Sequence, residues 1–404
     1  MMALTENFGA PVLAVCGFSG SGKTTLLESA IPHLVARGLS VAVVKHDSHG
    51  FMVDQEGKDS DRLFRAGATV ALRGPGEQFF RRNASSAVSL QTTLSDLARD
   101  HDFLLIEGHK DTPIPKLWVS SADATVQPAH VSSVQGVLPW NSDRLTTFLN
   151  FVDRWLPNEW KARSLFAGLL VGGKSSRMGR PKQLANFCGT TLGEIGVQAL
   201  SDAIDGCASD SDSLSSRVFI LGAGQIADSL RHLIRIPDAP ALAGPVAGLI
   251  AAHRWAPEAA WILAACDHPW LSPADIQWLI QQRRPGTWAI FPRQPDGHPC
   301  PTVALFEPQA LAVLERSLLV RGAEKLRIAE LFNHPRTLIA NGLTHALTNV
   351  NTPQELAVQA AIAEATRSSF SYRKHREQRS SAEFDCAAKI CGEYCIGEAM
   401  ESND

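Results

Sequence analysis

Two glycine-rich loops, each placed directly after a short apolar run, restrict this chain more than any other feature. The first, Gly17-Phe18-Ser19-Gly20-Ser21-Gly22-Lys23-Thr24, follows Val12-Leu13-Ala14-Val15-Cys16 and leads into Thr25-Leu26-Leu27-Glu28. The second, Gly172-Gly173-Lys174-Ser175-Ser176-Arg177-Met178-Gly179-Arg180-Pro181-Lys182, follows Leu169-Leu170-Val171. Apolar runs alternate with amphipathic stretches through both halves, the pattern of α/β domains with mainly parallel sheets. One chain is therefore expected to handle nucleotides at two sites by two chemistries.

A length of 404 residues exceeds one ordinary core, and a size of roughly 100–200 residues per domain allows two or three. With 45% hydrophobic and 20% charged residues the composition is that of a soluble globular protein. A formal charge of -3 speaks against broad nucleic-acid binding driven by net charge. No apolar run approaches the roughly 18–20 residues of a membrane span, and the first residues lack the cationic head of a signal peptide, so no membrane role and a cytoplasmic location are expected. The eight cysteines form no CxxC pair and predict no disulfide framework. Cys16 and Cys266, at the ends of apolar runs, read as small core residues.

In the first half the pattern predicts strands over 12–16, 40–44, 70–72 and 103–106, with helices over 24–37 and 90–100. A helix over 142–155 closes a first domain spanning 10–157. Pro157 and the polar residues after it predict a linker over 158–164. A second domain, 165–365, offers strands over 166–171, 217–221, 261–266 and 288–291, a Ser/Asp-rich solvated loop over 209–216, and a last helix over 353–365. From 366 to 404, Ser, Arg and Glu clusters without an apolar face predict a poorly ordered tail. Its Cys386, Cys391 and Cys395 lack an obvious fourth partner for a metal.

The first loop satisfies G-x-x-x-x-G-K-[ST] with a strand before it and a helix after it. Gly17, Gly20, Ser21 and Gly22 let backbone N–H groups converge on phosphate oxygens, Lys23 neutralises the outer phosphates, and Thr24 is the expected Mg²⁺ ligand. Such a site needs a carboxylate at the end of a neighbouring strand, which Glu107 supplies after Phe103-Leu104-Leu105-Ile106. His46, Asp47 and His49 read as a solvated switch-like loop rather than a metal site.

Taken together, the P-loop, Lys45-His46-Asp47, Gly57-Lys58-Asp59-Ser60, Ala66-Gly67-Ala68 and Ile106-Glu107-Gly108-His109-Lys110 resemble the MobB type of molybdopterin-guanine dinucleotide biosynthesis protein. The resemblance covers about residues 10–157. It implies a P-loop NTPase domain that binds GTP, hydrolyses it weakly, serves an accessory role and is often dimeric. His109 stands where the family usually has Phe or Tyr.

The second loop closes without G-K-[ST] and carries separated cations, which suit a triphosphate attacked at its α-phosphate as charge builds on the departing pyrophosphate. Trp261-Ile262-Leu263-Ala264-Ala265-Cys266-Asp267 reads as a buried strand ending in a carboxylate able to hold Mg²⁺. Thr348-Asn349-Val350-Asn351-Thr352-Pro353 presents two amides at a helix start, where capping is the ordinary role. Val218 to Ala227 imitates a dinucleotide fingerprint, but no acidic residue ends a second strand about 20 residues on, so a strand-to-helix turn is expected.

These segments resemble the MobA family, the molybdenum cofactor guanylyltransferases, over about residues 165–365. Leu170, Gly172 and Gly173 through Lys182 match its L-x-G-G-x-S-x-R-M-G-x-x-K signature, and Gly244-Pro245-Val246-Ala247-Gly248 its G-P-L-A-G element. The resemblance implies triphosphate binding by Arg177 and Lys182, an aspartate near the nucleotide at Asp238, and Mg²⁺ on Asp267. Asn349 and Asn351 match N-x-N-T-P. The implied fold is a Rossmann-like nucleotidyltransferase; the implied reaction joins GTP to molybdenum-molybdopterin, with molybdoenzymes or their chaperones receiving the product. Pro181-Lys182 replaces the family's usual Asp-Lys, as in related cytidylyltransferases, so CTP stays open beside the favoured GTP. A nucleotide-gated delivery scaffold and a sugar-phosphate nucleotidyltransferase are the other readings.

Overall fold

The computed structural model describes residues 8–45, 53–82, 89–122, 127–172, 177–206, 217–323, 325–343 and 347–366. In the first half, β1 (Val12–Cys16) leads into α1 (Lys23–Ala36), β2 (Val41–Lys45), α2 (Asp59–Arg65), β3 (Val70–Arg73), β4 (Gln78–Arg81), α3 (Leu90–Ala98), β5 (Phe103–Glu107), β6 (Lys116–Val119), β7 (Val134–Leu138) and α4 (Arg144–Ala162). The main sheet has the order β2-β5-β1-β6-β7 and is parallel throughout. β1 and β5 are apolar nearly end to end because both of their faces are covered. Leu13, Leu105, Leu34 and Phe148 meet on the α1 and α4 side, and Ala14, Leu104, Leu94 and Trp118 on the α3 side.

Two features depart from expectation. The predicted strand at 70–72 forms, but as a separate antiparallel hairpin of β3 and β4. Only Val70 of β3 is buried, so its side chains could not fill a two-sided core. The second departure is a correction: most of the expected linker at 158–164 is helix, since α4 runs through Pro157 to Ala162. A mid-helix proline removes one backbone bond. Leu156 and Trp160, both buried on the same face as Val152, hold the helix together across it.

The second half runs through β8 (Leu165–Leu170), the short pair β9 (Asn186–Phe187) and β10 (Thr190–Thr191), α5 (Leu192–Asp205), β11 (Val218–Leu221), β12 (Arg235–Ile236) and α6 (Pro245–Trp255). It continues with β13 (Ala260–Ala265), α7 (Pro273–Gln281), β14 (Ala289–Pro292), β15 (Val303–Phe306), α8 (Pro308–Arg321) and β16 (Thr337–Ala340), and ends in α9 over 353–366. The sheet order is β12-β11-β8-β13-β15-β14-β16, parallel except for β15. The chain moves outward from β8 to β11 on one side and to β13 on the other. That divergence opens a crevice at their carboxyl ends, where such sheets take ligands. The turn after β11 leads to a 3-10 turn, Asp228–Leu230, and not to the α-helix a dinucleotide fingerprint requires. The Ser/Asp-rich stretch, the tail cysteines and the His46 to His49 loop lie outside the described residues.

A polar seam joins the two sheets. Asp102, fully buried, accepts hydrogen bonds from Ser40 N (2.7 Å), Trp288 Nε1 (2.6 Å) and Arg336 Nη1 (2.6 Å). Gln309 Nε2 donates to the carbonyls of Gly9, Ala98 and His101. Glu307, also fully buried, accepts from Arg283 Nε (2.8 Å), Arg163 Nη2 (2.9 Å) and Trp160 Nε1 (3.1 Å). Arg163 additionally bonds Gly9 O. Buried charge is tolerated here because each carboxylate meets donors on several sides.

Candidate active sites

The P-loop follows from crowding at its base. A Cβ on Gly17 would strike the carbonyl oxygen of Val119 and come within 2.6 Å of Ser21 Oγ, so only glycine lets β1 turn there. Gly22 closes the loop with φ +86° as the N-cap of α1, leaving the first N–H groups of that helix free to meet an anion. Lys23 Nζ donates to Phe18 O (2.8 Å) and Gly17 O (3.2 Å), which parks the ammonium over the loop. Burial lowers its pKa, with Glu107 opposing. Thr24 Oγ1 donates to Glu107 Oε1 at 2.6 Å, and Lys45 lies 3.7 Å from the same carboxylate. The two expected Mg²⁺ groups therefore meet, one from the start of α1 and one from the end of β5. Cys16 is structural: its thiol donates to Gly108 O (2.9 Å), and burial pushes its pKa up to about 11.

Arg144 escaped the sequence reading. Its guanidinium donates to Ser21 O (2.9 Å), Pro139 O (3.0 Å) and Ser120 O. It thus ties the P-loop to the ends of β6 and β7 from the first turn of α4. Two of these carbonyls lie 24 and 123 residues away in the chain, which leaves no local sequence pattern to detect.

In the second domain, Lys182 Nζ lies 2.7 Å from Asn351 Oδ1 and 3.3 Å from Asp267 Oδ2. One group comes from the loop after β8, one from the end of β13, and one from the approach to α9. Val350 N donates to the backbone carbonyl of Asp267 (2.8 Å), pinning the asparagine segment beside that residue. Asp267 Oδ1 is buried without a hydrogen-bond partner, and His268 Nε2 stands 3.6 Å from it. Gln183 and Arg235 also went unrecognised. Gln183 Nε2 donates to Gln225 O (2.6 Å), while Arg235 Nε donates to Gly222 O (2.9 Å) and its Nη2 to Gly224 O. Together they fix the loop that borders Gly172. Asp238 reaches the same corner, its carboxylate oxygens 3.5–3.6 Å from where a Cβ would stand on Gly222 or Gly248.

Leu170 ends β8 beside this loop, and Gly244, φ +73°, starts α6. Arg177 is exposed at the rim of the loop and Asn349 is exposed two residues before Asn351; neither is drawn to the Lys182 cluster. Gly173 lies outside the described residues.

Both clusters suit a magnesium nucleotide. Mg²⁺ takes hard oxygen donors and is commonly held by one or two carboxylates together with substrate phosphates. Thr24 with Glu107, and Asp267 with its unpartnered Oδ1, are donor sets of that kind. Among the described residues no group of three or more His, Cys, Asp and Glu forms a metal cage, and none is needed for this mode. No helix among them is long and apolar enough to cross a membrane.

Comparison with known proteins agrees with both halves. Residues 12–138 match the family of molybdopterin guanine dinucleotide synthesis protein B, MobB, and residues 167–334 match the MobA-like NTP transferase domain. A molybdopterin-guanine dinucleotide biosynthesis adapter protein of Haemophilus influenzae is 36% identical over 170 residues, which is 39% of this chain and 96% of the relative. A protein named as a molybdenum cofactor guanylyltransferase, from Opitutus terrae, is 31% identical over 196 residues, 45% of this chain and 91% of that relative. The chain is a MobB–MobA fusion. A crystal structure of molybdopterin-guanine dinucleotide biosynthesis protein A from Archaeoglobus fulgidus is similar at 20% identity and a TM-score of 0.38, covering 49% of this chain and 98% of that one. The fusion thus combines a MobB P-loop domain with a MobA-like, Rossmann-type nucleotidyltransferase domain, and it belongs to molybdopterin guanine dinucleotide biosynthesis.

Proposed function

We propose that the MobA-like domain transfers GMP from GTP to molybdenum-molybdopterin. The observation that carries this reading is the convergence of Lys182, Asp267 and Asn351 at the carboxyl ends of the strands beside the glycine loop. The terminal phosphate oxygen of the pterin attacks the α-phosphorus of GTP. As that P–O bond forms, the bond from the α-phosphorus to the bridging oxygen breaks, and pyrophosphate leaves with the electron pair. The nucleophile is already anionic, so positioning and charge neutralisation carry most of the acceleration. Lys182 and Arg177 are assigned to the phosphates, Asp238 and the 222–225 loop to the nucleoside side. Asp267, supported by Asn351, would hold Mg²⁺, which supplies positive charge at the α-phosphate when bound.

The MobB domain is assigned GTP binding with weak hydrolysis through Lys23, Thr24 and Glu107, in an accessory role toward molybdoenzymes or their chaperones. Dimerisation through this domain belongs to the same proposal. Pyrophosphate release by the purified protein with molybdenum-loaded pterin and GTP, CTP or ATP tests the transferase assignment. Release with GTP alone, lost in Asp267→Ala, supports it. Preference for CTP moves the chain to the cytidylyl branch, for which Pro181 before Lys182 is the specific pointer.

A further inference from the structure

The polar seam fixes which way the two sites face. The seam residues that flank strands of the MobB domain lie at the amino ends of those strands: Gly9 precedes β1, Ser40 precedes β2, and Asp102 precedes β5. The residues that meet them sit at the same end of the MobA-like sheet. Arg163 precedes β8, Trp288 precedes β14 and Arg336 precedes β16, while Glu307 follows the one reversed strand, β15. Both nucleotide loops lie at the opposite, carboxyl ends, one at Gly17–Thr24 after β1 and the other after β8, leading to Lys182 beside Asp267. The two sheets are joined base to base, with their sites pointing outward.

α4 gives the scale on one side. Its first residue, Arg144, bonds the P-loop at Ser21 O, and Trp160 near its end bonds Glu307 in the seam. A 19-residue helix at 1.5 Å per residue is roughly 28 Å long. On the other side, β13 and the two residues after it carry the chain from Ala260 to Asp267, roughly 23 Å at 3.3 Å per residue. The sites are thus on the order of 40–50 Å apart, with a closed protein layer between them.

The seam is a poor hinge. Bringing one site toward the other would pull Asp102 away from Trp288 and Arg336, Glu307 away from the Trp160 indole, and Arg163 away from Gly9 O. A buried carboxylate would lose its guanidinium partner, the costly way to open a buried ion pair. Ser95 Oγ to Glu258 (2.7 Å), Arg316 to Asp100 (2.6 Å) and Arg99 to Glu315 (3.5 Å) add contacts at its rim.

We infer that the P-loop site and the transferase site of one chain never share a bound ligand. Each takes its own nucleotide, and any ligand moving from one kind of site to the other passes between chains or through solvent. This rests on the reading of the chain as two nucleotide sites. The MobB domain then does not hold GTP or the pterin for its own transferase domain. It also leaves the P-loop end free to meet another protein while the transferase end turns over.

Two measurements on the unaltered full-length protein decide it. With Mn²⁺ and a non-hydrolysable GTP analogue at both sites, pulsed electron paramagnetic resonance should report a Mn–Mn distance within a chain of about 40–50 Å; a distance below about 25 Å overturns the inference. Binding of one Mn²⁺–nucleotide per chain would instead remove the two-site reading beneath it. In the second, protein preloaded with labelled GTP is mixed with molybdenum-loaded pterin and a large excess of unlabelled GTP. Label should enter the product to at most one equivalent per chain, that held by the transferase site. A second equivalent that persists when the protein is diluted until the chain is monomeric would show P-loop nucleotide reaching the transferase within one chain and would overturn the inference, whereas absence of any product would count against the guanylyltransferase proposal.

Discussion

Replacing Glu307 by Ala should damage this protein more than any change at its surface. The Glu307 carboxylate is fully buried and accepts two bonds from Arg283 (2.8 and 3.2 Å), one from Arg163 (2.9 Å) and one from the Trp160 indole (3.1 Å). Desolvation already lowers the Arg163 pKa to about 10 with Glu307 present to support the charge. Truncation strands two guanidinium groups in a dry seam, and removing one partner of a buried pair costs about 3–5 kcal/mol. The orphaned indole N–H adds to this, at about 1–3 kcal/mol for an unsatisfied buried donor, although the terms overlap and do not sum. Taking about 4 kcal/mol and about 2–4 °C per kcal/mol for a domain of this size, the melting temperature falls by roughly 8–16 °C. Differential scanning calorimetry should also show the unfolding of the two domains moving apart, because the seam couples them. Replacing all three charges by apolar residues, as in Arg163→Met/Arg283→Met/Glu307→Leu, should recover much of the loss, since an apolar substitute avoids stranded charge. A single unchanged transition, lowered by less than about 2 °C in Glu307→Ala, would refute the reasoning.

Four further outcomes are expected. Gly17→Ala forces a Cβ onto the Val119 carbonyl, so equilibrium binding of a fluorescent GTP analogue at the P-loop should weaken by more than about tenfold, the equivalent of 1.4 kcal/mol; an affinity within threefold of the parent contradicts the packing argument. Arg144→Ala frees the P-loop from β6 and β7 and should weaken the same binding by roughly tenfold, given about 1.5–3 kcal/mol for hydrogen bonds to a charged group and partial replacement by water. Lys182→Ala should lower kcat/KM for pyrophosphate release by about 10²–10³, the usual cost of losing one preorganised charge contact to the transition state, and a loss confined to KM would argue for ground-state binding alone. His253, buried in α6, has its pKa lowered to about 4, chiefly by desolvation and against the pull of Glu315. Its unfolded value is about 6.5, so the unfolded chain binds a proton that the folded chain refuses between these values, and stability declines as pH falls through that window. Urea unfolding at pH 7 and pH 5 should show a loss of roughly 2 kcal/mol from this residue, absent in His253→Leu.

Much of this protein was legible without coordinates because its chemistry is local. β1, the loop from Gly17 and the start of α1 form one continuous segment, and the strand ends at Glu107 and Asp267 are visible as carboxylates closing apolar runs. Such segments place a residue by its position along the chain, so the Thr24–Glu107 contact and the nearness of Lys182 to Asp267 follow once a parallel sheet is assumed. Pro157 misled because proline argues locally against a helix, while Leu156 is buried in the core of the first domain and Trp160 in that of the second. Residues 70–72 had strand-like composition, yet composition does not say which sheet a strand joins. Arg144, Gln183 and Arg235 act on backbone carbonyls, which any sequence supplies, so no residue pattern announces them.

The amino-acid sequence by itself determined the two α/β domains, the positions of their phosphate loops and the family of each. Those depend on short-range periodicity and on glycine, lysine and carboxylate spacing within a few residues. Only the tertiary structure decided how the domains are joined and which way their sites look. That outcome rests on Asp102, Glu307 and Gln309 finding partners some 147 to 300 residues away in the chain. Burial of polar groups whose partners are so distant is a property of the packed whole, and it turned two legible nucleotide sites into a pair facing opposite ways.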